Sequence, residues 1–307
     1  MHLSMVLTTG GGPVNFPGLD IFLEHLAEGF EVFGLHISLS GILLALAMFL
    51  GLFITECLAK KTEQNTEIYL DLAIRLVIAG VIGARTGHII THWQYFASDQ
   101  ANVLDIRDGG MSFSGALIAG ILVSFVYCRQ KKLSWLQICD TAVPGLVFAQ
   151  ILGAAGAFFD RSNLGIYSGG RFAMQVDIRD VDAGLMKFSQ ASRAMTRGNF
   201  LQVHPVALYE MVLLLVLFLL LVVLFRVGKI KGLALSVYLM GYGALRFGLE
   251  FIRMDSVRMI GNRISLEHLV AAGLFLCGAA ILTDRVKQDR ITKKERPKNF
   301  SFAKKSK

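Results

Sequence analysis

Seven apolar stretches recur along this chain, each close to the roughly 20 residues that a helix needs to cross a hydrocarbon core about 30 Å thick. They fall at about 37–59, 68–93, 112–128, 138–159, 208–225, 232–251 and 264–283. In lipid every backbone N–H and C=O must be bonded internally, so such stretches are predicted as helices. The expected fold is all-α, a polytopic membrane protein with about seven transmembrane helices in a single integral membrane domain over 1–307. Composition agrees: 54% of the residues are hydrophobic, 18% are charged, and the mean hydropathy is +0.55, beyond the usual range of a water-soluble domain.

Orientation follows from charge. No Lys or Arg precedes Lys60, while Lys60/Lys61, Arg129/Lys131/Lys132 and Arg226/Lys229/Lys231 occupy alternate connections. The positive-inside bias places those connections in the cytoplasm, the N-terminus in the periplasm and the C-terminus inside. The connection 160–203 carries six cations, yet parity places it outside. Long loops translocate with little regard to charge, so it is expected to form a periplasmic head or lid. Leu19, Phe22, Leu23, Leu26 and Phe30 recur near helical spacing, with Asp20, Glu24, Glu28 and Glu31 between them. That pattern predicts an amphipathic helix over 14–34 on the outer face. The net charge of +8 gathers largely in the basic cytoplasmic tail, 285–307, which suits anionic headgroups rather than nucleic acid. Cys57, Cys128, Cys139 and Cys277 spell neither a disulfide framework nor a zinc site, and no metal or cofactor is expected.

An ionisable side chain inside a bilayer costs about 2.5–3.5 kcal/mol on insertion scales, so each one calls for a partner or a function. Tyr242, Arg246 and Glu250 stand at steps of four, on one helix face, where Arg246 and Glu250 can pair. The reading is either a charge pair joining two helices or an anion-binding arginine oriented by a carboxylate. Arg85, His88, His204, Glu210, Glu267 and His268 fall in the same outer half of the membrane. Asp71 and Arg75 form another i,i+4 pair nearer the cytoplasm, read as structural.

The ordered pieces Gly83-Ala84-Arg85-Thr86-Gly87, Asp108 to Gly115, Asp140 to Pro144, His204-Pro205-Val206-Ala207-Leu208-Tyr209-Glu210 and Gly241 to Arg246 with Glu250, Phe251 and Arg253 resemble the prolipoprotein diacylglyceryl transferases of bacterial inner membranes. The resemblance covers about Leu35 to Leu282. It implies transfer of diacylglycerol from phosphatidylglycerol, or a related anionic phospholipid, to the lipobox cysteine thiol of a lipoprotein precursor. It implies catalytic roles for Arg246, Glu250 and His204, and a substrate cavity lined by Arg85, Ser114, Tyr209, Glu210, Tyr242 and Arg161. The chain also departs from the family. Ser114 stands where the family has His, Ser38 where it has Tyr, and Ala154, Ala157 and Ser162 where it has Arg, Asn and Glu. Those departures favour an alternative, a non-catalytic paralogue that binds lipid or lipoprotein and assists another membrane protein. Transport ranks last, for want of inverted repeats.

Overall fold

The computed structural model describes residues 6–8, 12–32, 35–91, 112–180, 200–227, 231–254, 258–260 and 264–295. Asp108 to Met111, the stretch 181–199 and the tail beyond Glu295 lie outside them. The chain is mostly helical. Each of the seven apolar stretches is one helix: α1 (Leu39–Lys61), α2 (Glu67–Thr91), α3 (Phe113–Gln130), α4 (Trp135–Phe159), α5 (Val206–Val227), α6 (Leu233–Glu250) and α7 (Leu266–Glu295). By length and composition α1, α4, α5 and α7 are able to cross a membrane. The charges in α2 and α6 and the shortness of α3 set those three apart. The helices present large apolar side chains outward all along their lengths, among them Phe49, Ile78, Ile118 and Val216.

Nine short strands among the described residues correct the all-α expectation. Val14–Leu23 does not form the expected amphipathic helix. It folds as β2 (Val14–Phe16), a single 3-10 turn at Pro17–Leu19 and β3 (Ile21–Leu23), with β4 (Gly29–Val32) following β1 (Val6–Thr8) and preceding β5 (Leu35–Ser38). Pro17 removes a backbone donor and Asp20 turns the chain with φ at 54°, so no α-helix runs through. The residues the fold buries here are a period-2 pair, Val14 and Phe16, which stand outside the helically spaced set Leu19, Phe22, Leu23, Leu26 and Phe30.

The chain divides into two compact units. The first comprises residues up to Gly51 and from Val143 onward. It contains an antiparallel sheet in the order β3-β2-β6-β7, in which β6 is Met174–Asp177 and β7 is Phe200–Val203. Alternate residues of these strands, Val14, Phe16, Met174, Val176, Leu201 and Val203, close on Leu164 and Met254 to form its core. Within the stretch 160–203, the described strand β6 pairs with the N-terminal segment, Val14 opposite Val176. In the same unit α6 and α7 pack backbone against backbone. A Cβ on Gly278 would stand 2.8 Å from the Ser236 carbonyl, and one on Gly243 2.7 Å from that of Ala271. Only glycine permits this approach. The remaining strands, β8 (Arg258–Ile260) and β9 (Ile264–Ser265), pair in the turn between α6 and α7.

The second unit, Leu52–Ala142, holds α2 and α3. These cross at Gly83, Gly87 and Gly115, where a Cβ on Gly83 would meet the Gly115 carbonyl oxygen at 2.6 Å. The Ser112 N–H donates to the Ala84 carbonyl at 2.9 Å, and the Ser112 hydroxyl caps α3 by accepting from the Gly115 N–H. At the unit's opposite end Ala59, Tyr69, Leu72, Tyr127, Cys128 and Ile138 form a core. There Gln64 accepts from the Tyr69 hydroxyl at 2.5 Å and donates to Thr141 at 2.9 Å.

Candidate functional site: a polar ladder through the first unit

The chemistry-bearing residues of the first unit are ordered by local sequence. At His204-Pro205 the residue before proline is held extended, and Pro205 opens α5, its carbonyl accepting from Leu208 and Tyr209. Tyr209 and Glu210 are thereby fixed in the first turn. The His204 Nδ1 lies 3.3 Å from the Tyr209 hydroxyl. Burial lowers the imidazole below its ordinary value, which favours the uncharged ring. Asn163, four residues beyond the end of α4, donates to Glu210 Oε2 at 2.9 Å.

From Glu210 a ladder of polar contacts runs into the helices. Its Oε1 lies 3.5 Å from a terminal nitrogen of Arg246, and the Arg246 Nε donates to the Tyr242 hydroxyl at 2.9 Å. The guanidinium also stands over the Tyr242 ring, 5.6 Å from its centroid. Tyr242 stacks on Tyr238 at 5.5 Å, and the Tyr238 hydroxyl accepts from Gln150 of α4 at 2.9 Å. The i,i+4 spacing of Tyr238, Tyr242 and Arg246 puts all three on one face of α6, facing α5 and α4. Arg246 is thus bonded at Nε and at one terminal nitrogen and keeps 28% of its side-chain surface exposed.

The expected Arg246–Glu250 pair does not form. Glu250 is 4% exposed and bonds elsewhere: the Ser265 hydroxyl donates to its Oε1 at 2.8 Å, and Arg253 lies 3.9 Å from its Oε2. Although i,i+4 spacing permits the pair, α5 offers Arg246 the Glu210 carboxylate from across the helix interface, and the α6–α7 turn captures Glu250. His268, 2% exposed, accepts the Ser265 N–H at its Nδ1 and is flanked by Phe247 and Phe251. This is a capping box at the start of α7, with histidine in the place usually taken by Glu or Gln.

Arg161, expected to line a substrate cavity, is committed to the sheet. It is 2% exposed, ion-paired to Glu28, and donates to the carbonyls of Gly12 at 2.9 Å and Leu26 at 3.4 Å. Its φ of 53° ends α4 in the left-handed conformation. That turn points the guanidinium at the N-terminal segment instead of the helices. Arg85 and Ser114 belong to the second unit: Arg85 lies between Gly83 and Gly87 of the α2–α3 crossing, and Ser114 stands in the first turn of α3. Ala154 is buried in α4 and brings no donor. Ser38 caps α1, its hydroxyl accepting from the Gly41 N–H at 3.1 Å. Asn163, Gln150 and Tyr238 were not singled out by sequence. Gln150, an amide in an otherwise apolar span, was the available signal.

Bilayer-length apolar helices with an arginine, a glutamate and stacked tyrosines interlocked among them define a membrane protein with a polar interior. More specifically, the chain belongs to the prolipoprotein diacylglyceryl transferase family, whose model matches residues 28–283. It is 29% identical over 260 residues to a protein of Finegoldia magna, covering 84% of this chain and 95% of the relative. It is 32% identical over 267 residues to one of Corynebacterium glutamicum, covering 84% and 83%. A protein of a Synechococcus species is 33% identical over 223 residues, covering 71% and 75%. All three bear the name phosphatidylglycerol–prolipoprotein diacylglyceryl transferase.

Proposed function

We propose that this chain acts in lipoprotein biosynthesis as a phosphatidylglycerol–prolipoprotein diacylglyceryl transferase in the bacterial inner membrane. In this reading all seven helices span the bilayer, the N-terminus and the four-stranded sheet are periplasmic, and the C-terminus is cytoplasmic. One observation carries the reading: Arg246 is oriented from two sides, by Tyr242 and Glu210, yet remains partly open. A guanidinium held in that way offers its outward N–H groups to a phosphate without first giving up its own partners.

The chemistry required is substitution at carbon. The sulfur of the acceptor cysteine forms a C–S bond with the diacylglyceryl carbon as the C–O bond to the phosphate breaks, and glycerol phosphate leaves with the electron pair. Arg246 stabilises the charge that gathers on the departing phosphate. A thiol is a poor nucleophile until deprotonated, and His204, bonded to Tyr209, is the base this reading assigns. Glu250 holds the α6–α7 turn that carries Arg253.

A second reading is favoured by a specific observation. The family's Arg, Asn and Glu positions hold Ala154, Ala157 and Ser162, and Arg161, the nearest cation in sequence, is spent on Glu28 and two carbonyls. A non-catalytic paralogue that binds lipid and assists another membrane protein would need Arg246 but not those groups. Binding and transfer assays separate the two. Purified protein in phosphatidylglycerol vesicles is expected to bind the lipid, and Arg246→Ala to weaken binding about 10- to 100-fold, the equivalent of one or two charge-assisted hydrogen bonds. Unchanged affinity in that variant removes Arg246 from the site. A thioether product on a lipobox peptide supports the transferase. Lipid binding without product, under conditions where a relative carrying the full motif works, leaves the paralogue.

A further inference from the structure

The second unit carries an ion pair for which the site above has no use. Asp71 and Arg75 stand one turn apart on α2, joined by a 2.9 Å contact from Arg75 Nε to one carboxylate oxygen. Their side chains are nevertheless 41% and 51% exposed. The neighbours are membrane-facing apolar residues: Ile74, Ile78, Leu122 and Val126 are all exposed. The Arg75 guanidinium lies 5.3 Å from the centroid of the Tyr127 ring on α3, which brings the pair beside the last turn of that helix. Arg75 is eight residues from the start of α2, about 12 Å along the axis at 1.5 Å per residue. In a helix of 25 residues that lies in the half nearer its start.

Beside the pair lies a groove of about 280 Å³. Arg75, Tyr127 and Gln130 form its polar end, and Leu122, Val123 and Val126 continue it as an apolar channel. A polar end joined to an apolar slot at that depth has the shape of a single phospholipid. We propose that this groove binds one zwitterionic phospholipid with a primary amine, drawn from the cytoplasmic leaflet. The leaflet, though not the site, rests on the topology given above.

The two charges decide the class of lipid. Arg75 uses Nε on Asp71, which leaves its terminal N–H groups as donors for a phosphate. A purely anionic headgroup would meet the Asp71 carboxylate as a like charge. A headgroup carrying both phosphate and ammonium satisfies both residues at once, and a primary ammonium can also donate a hydrogen bond to Asp71, which a quaternary one cannot. Tyr127, whose hydroxyl interacts with Asp71, fixes the carboxylate from the α3 side. Nothing in this arrangement draws on the family's chemistry.

The test titrates delipidated full-length protein, carrying Arg246→Ala so that the other lipid site does not contribute, with phosphatidylethanolamine or phosphatidylglycerol and counts bound lipids by native mass spectrometry. One phosphatidylethanolamine is expected to bind at least tenfold more tightly than phosphatidylglycerol. Asp71→Asn is expected to abolish that preference, and Arg75→Gln to weaken both lipids. Leu122→Trp, which fills the apolar slot from a membrane-facing position and leaves the pair intact, is expected to lose the lipid as well. Equal affinity for the two lipids, or a preference surviving Asp71→Asn, overturns the proposal. Loss of phosphatidylglycerol transfer in Arg246→Ala bears on the other site alone.

Discussion

A guanidinium packed inside the fold can be sealed in by its own partners or left partly open, and Arg161 and Arg246 are the two cases. Arg161 adopts a left-handed backbone that disfavours any residue with a Cβ, and its bonds to Glu28, Gly12 and Leu26 outweigh that strain. Arg161→Gly tests the balance: it relieves the backbone by about 1 kcal/mol but removes a charge from a buried pair, a loss of about 3–5 kcal/mol. The expected result is a net destabilisation of about 2–4 kcal/mol, visible as a thermal shift of several degrees. Asp177 gives the same sheet a pH dependence. The Arg179 guanidinium beside it, with a backbone N–H, holds its carboxyl at about 2. A depressed folded value means the stabilisation is fully present above the ordinary carboxylate value near 3.8 and is lost as pH falls toward 2. Proteolysis of the sheet is expected to rise across that window, and Arg179→Ala to flatten that rise, because the carboxyl then titrates at nearly the same pH in the folded and unfolded chain.

Between elements, small residues decide which helices touch. At the α2–α3 crossing a Cβ on Gly115 would collide with the Gly83 carbonyl, so Gly115→Val must push the helices apart. Overpacking of that kind costs about 1–3 kcal/mol, and a lowered melting temperature in detergent would show it. Gly153, with nothing near its missing Cβ, is the matched control, and Gly153→Ala is expected to leave stability unchanged. The seven helices were legible because bilayer-length apolar runs leave few alternatives, and their observed ends lie within three residues of the expected ones except at the end of α7, which runs on from the expected 283 to Glu295. The strands were not. β2, β3, β6 and β7 hold three or four residues each, and a run that short shows too little periodicity to stand out beside the helical spacing of Leu19, Phe22, Leu23, Leu26 and Phe30. In the site, the face shared by Tyr242 and Arg246 was legible from i,i+4 spacing. The partner was not, because spacing along α6 says nothing about what α5 presents to it. Arg161 was misplaced for a related reason: sequence gives a cation's position, and the turn after α4 gives its direction.

For the molecule as a whole, topology is the testable claim. In intact cells, with native cysteines replaced, a membrane-impermeant maleimide is expected to label Gly169→Cys and to spare Asn65→Cys and Lys131→Cys. The reverse pattern inverts the protein. α7, with 30 residues, is about 45 Å long at 1.5 Å per residue, longer than the hydrocarbon core, so its charged last turns extend past the apolar layer. A larger consequence follows from Glu210. One of its oxygens takes the amide of Asn163 and the other faces Arg246, while Asn163 immediately precedes Leu164, a core residue of the sheet. A carboxylate divided in this way cannot be pulled toward one neighbour without loosening its hold on the other. The segment that roots the sheet is therefore mechanically geared to whatever the arginine holds.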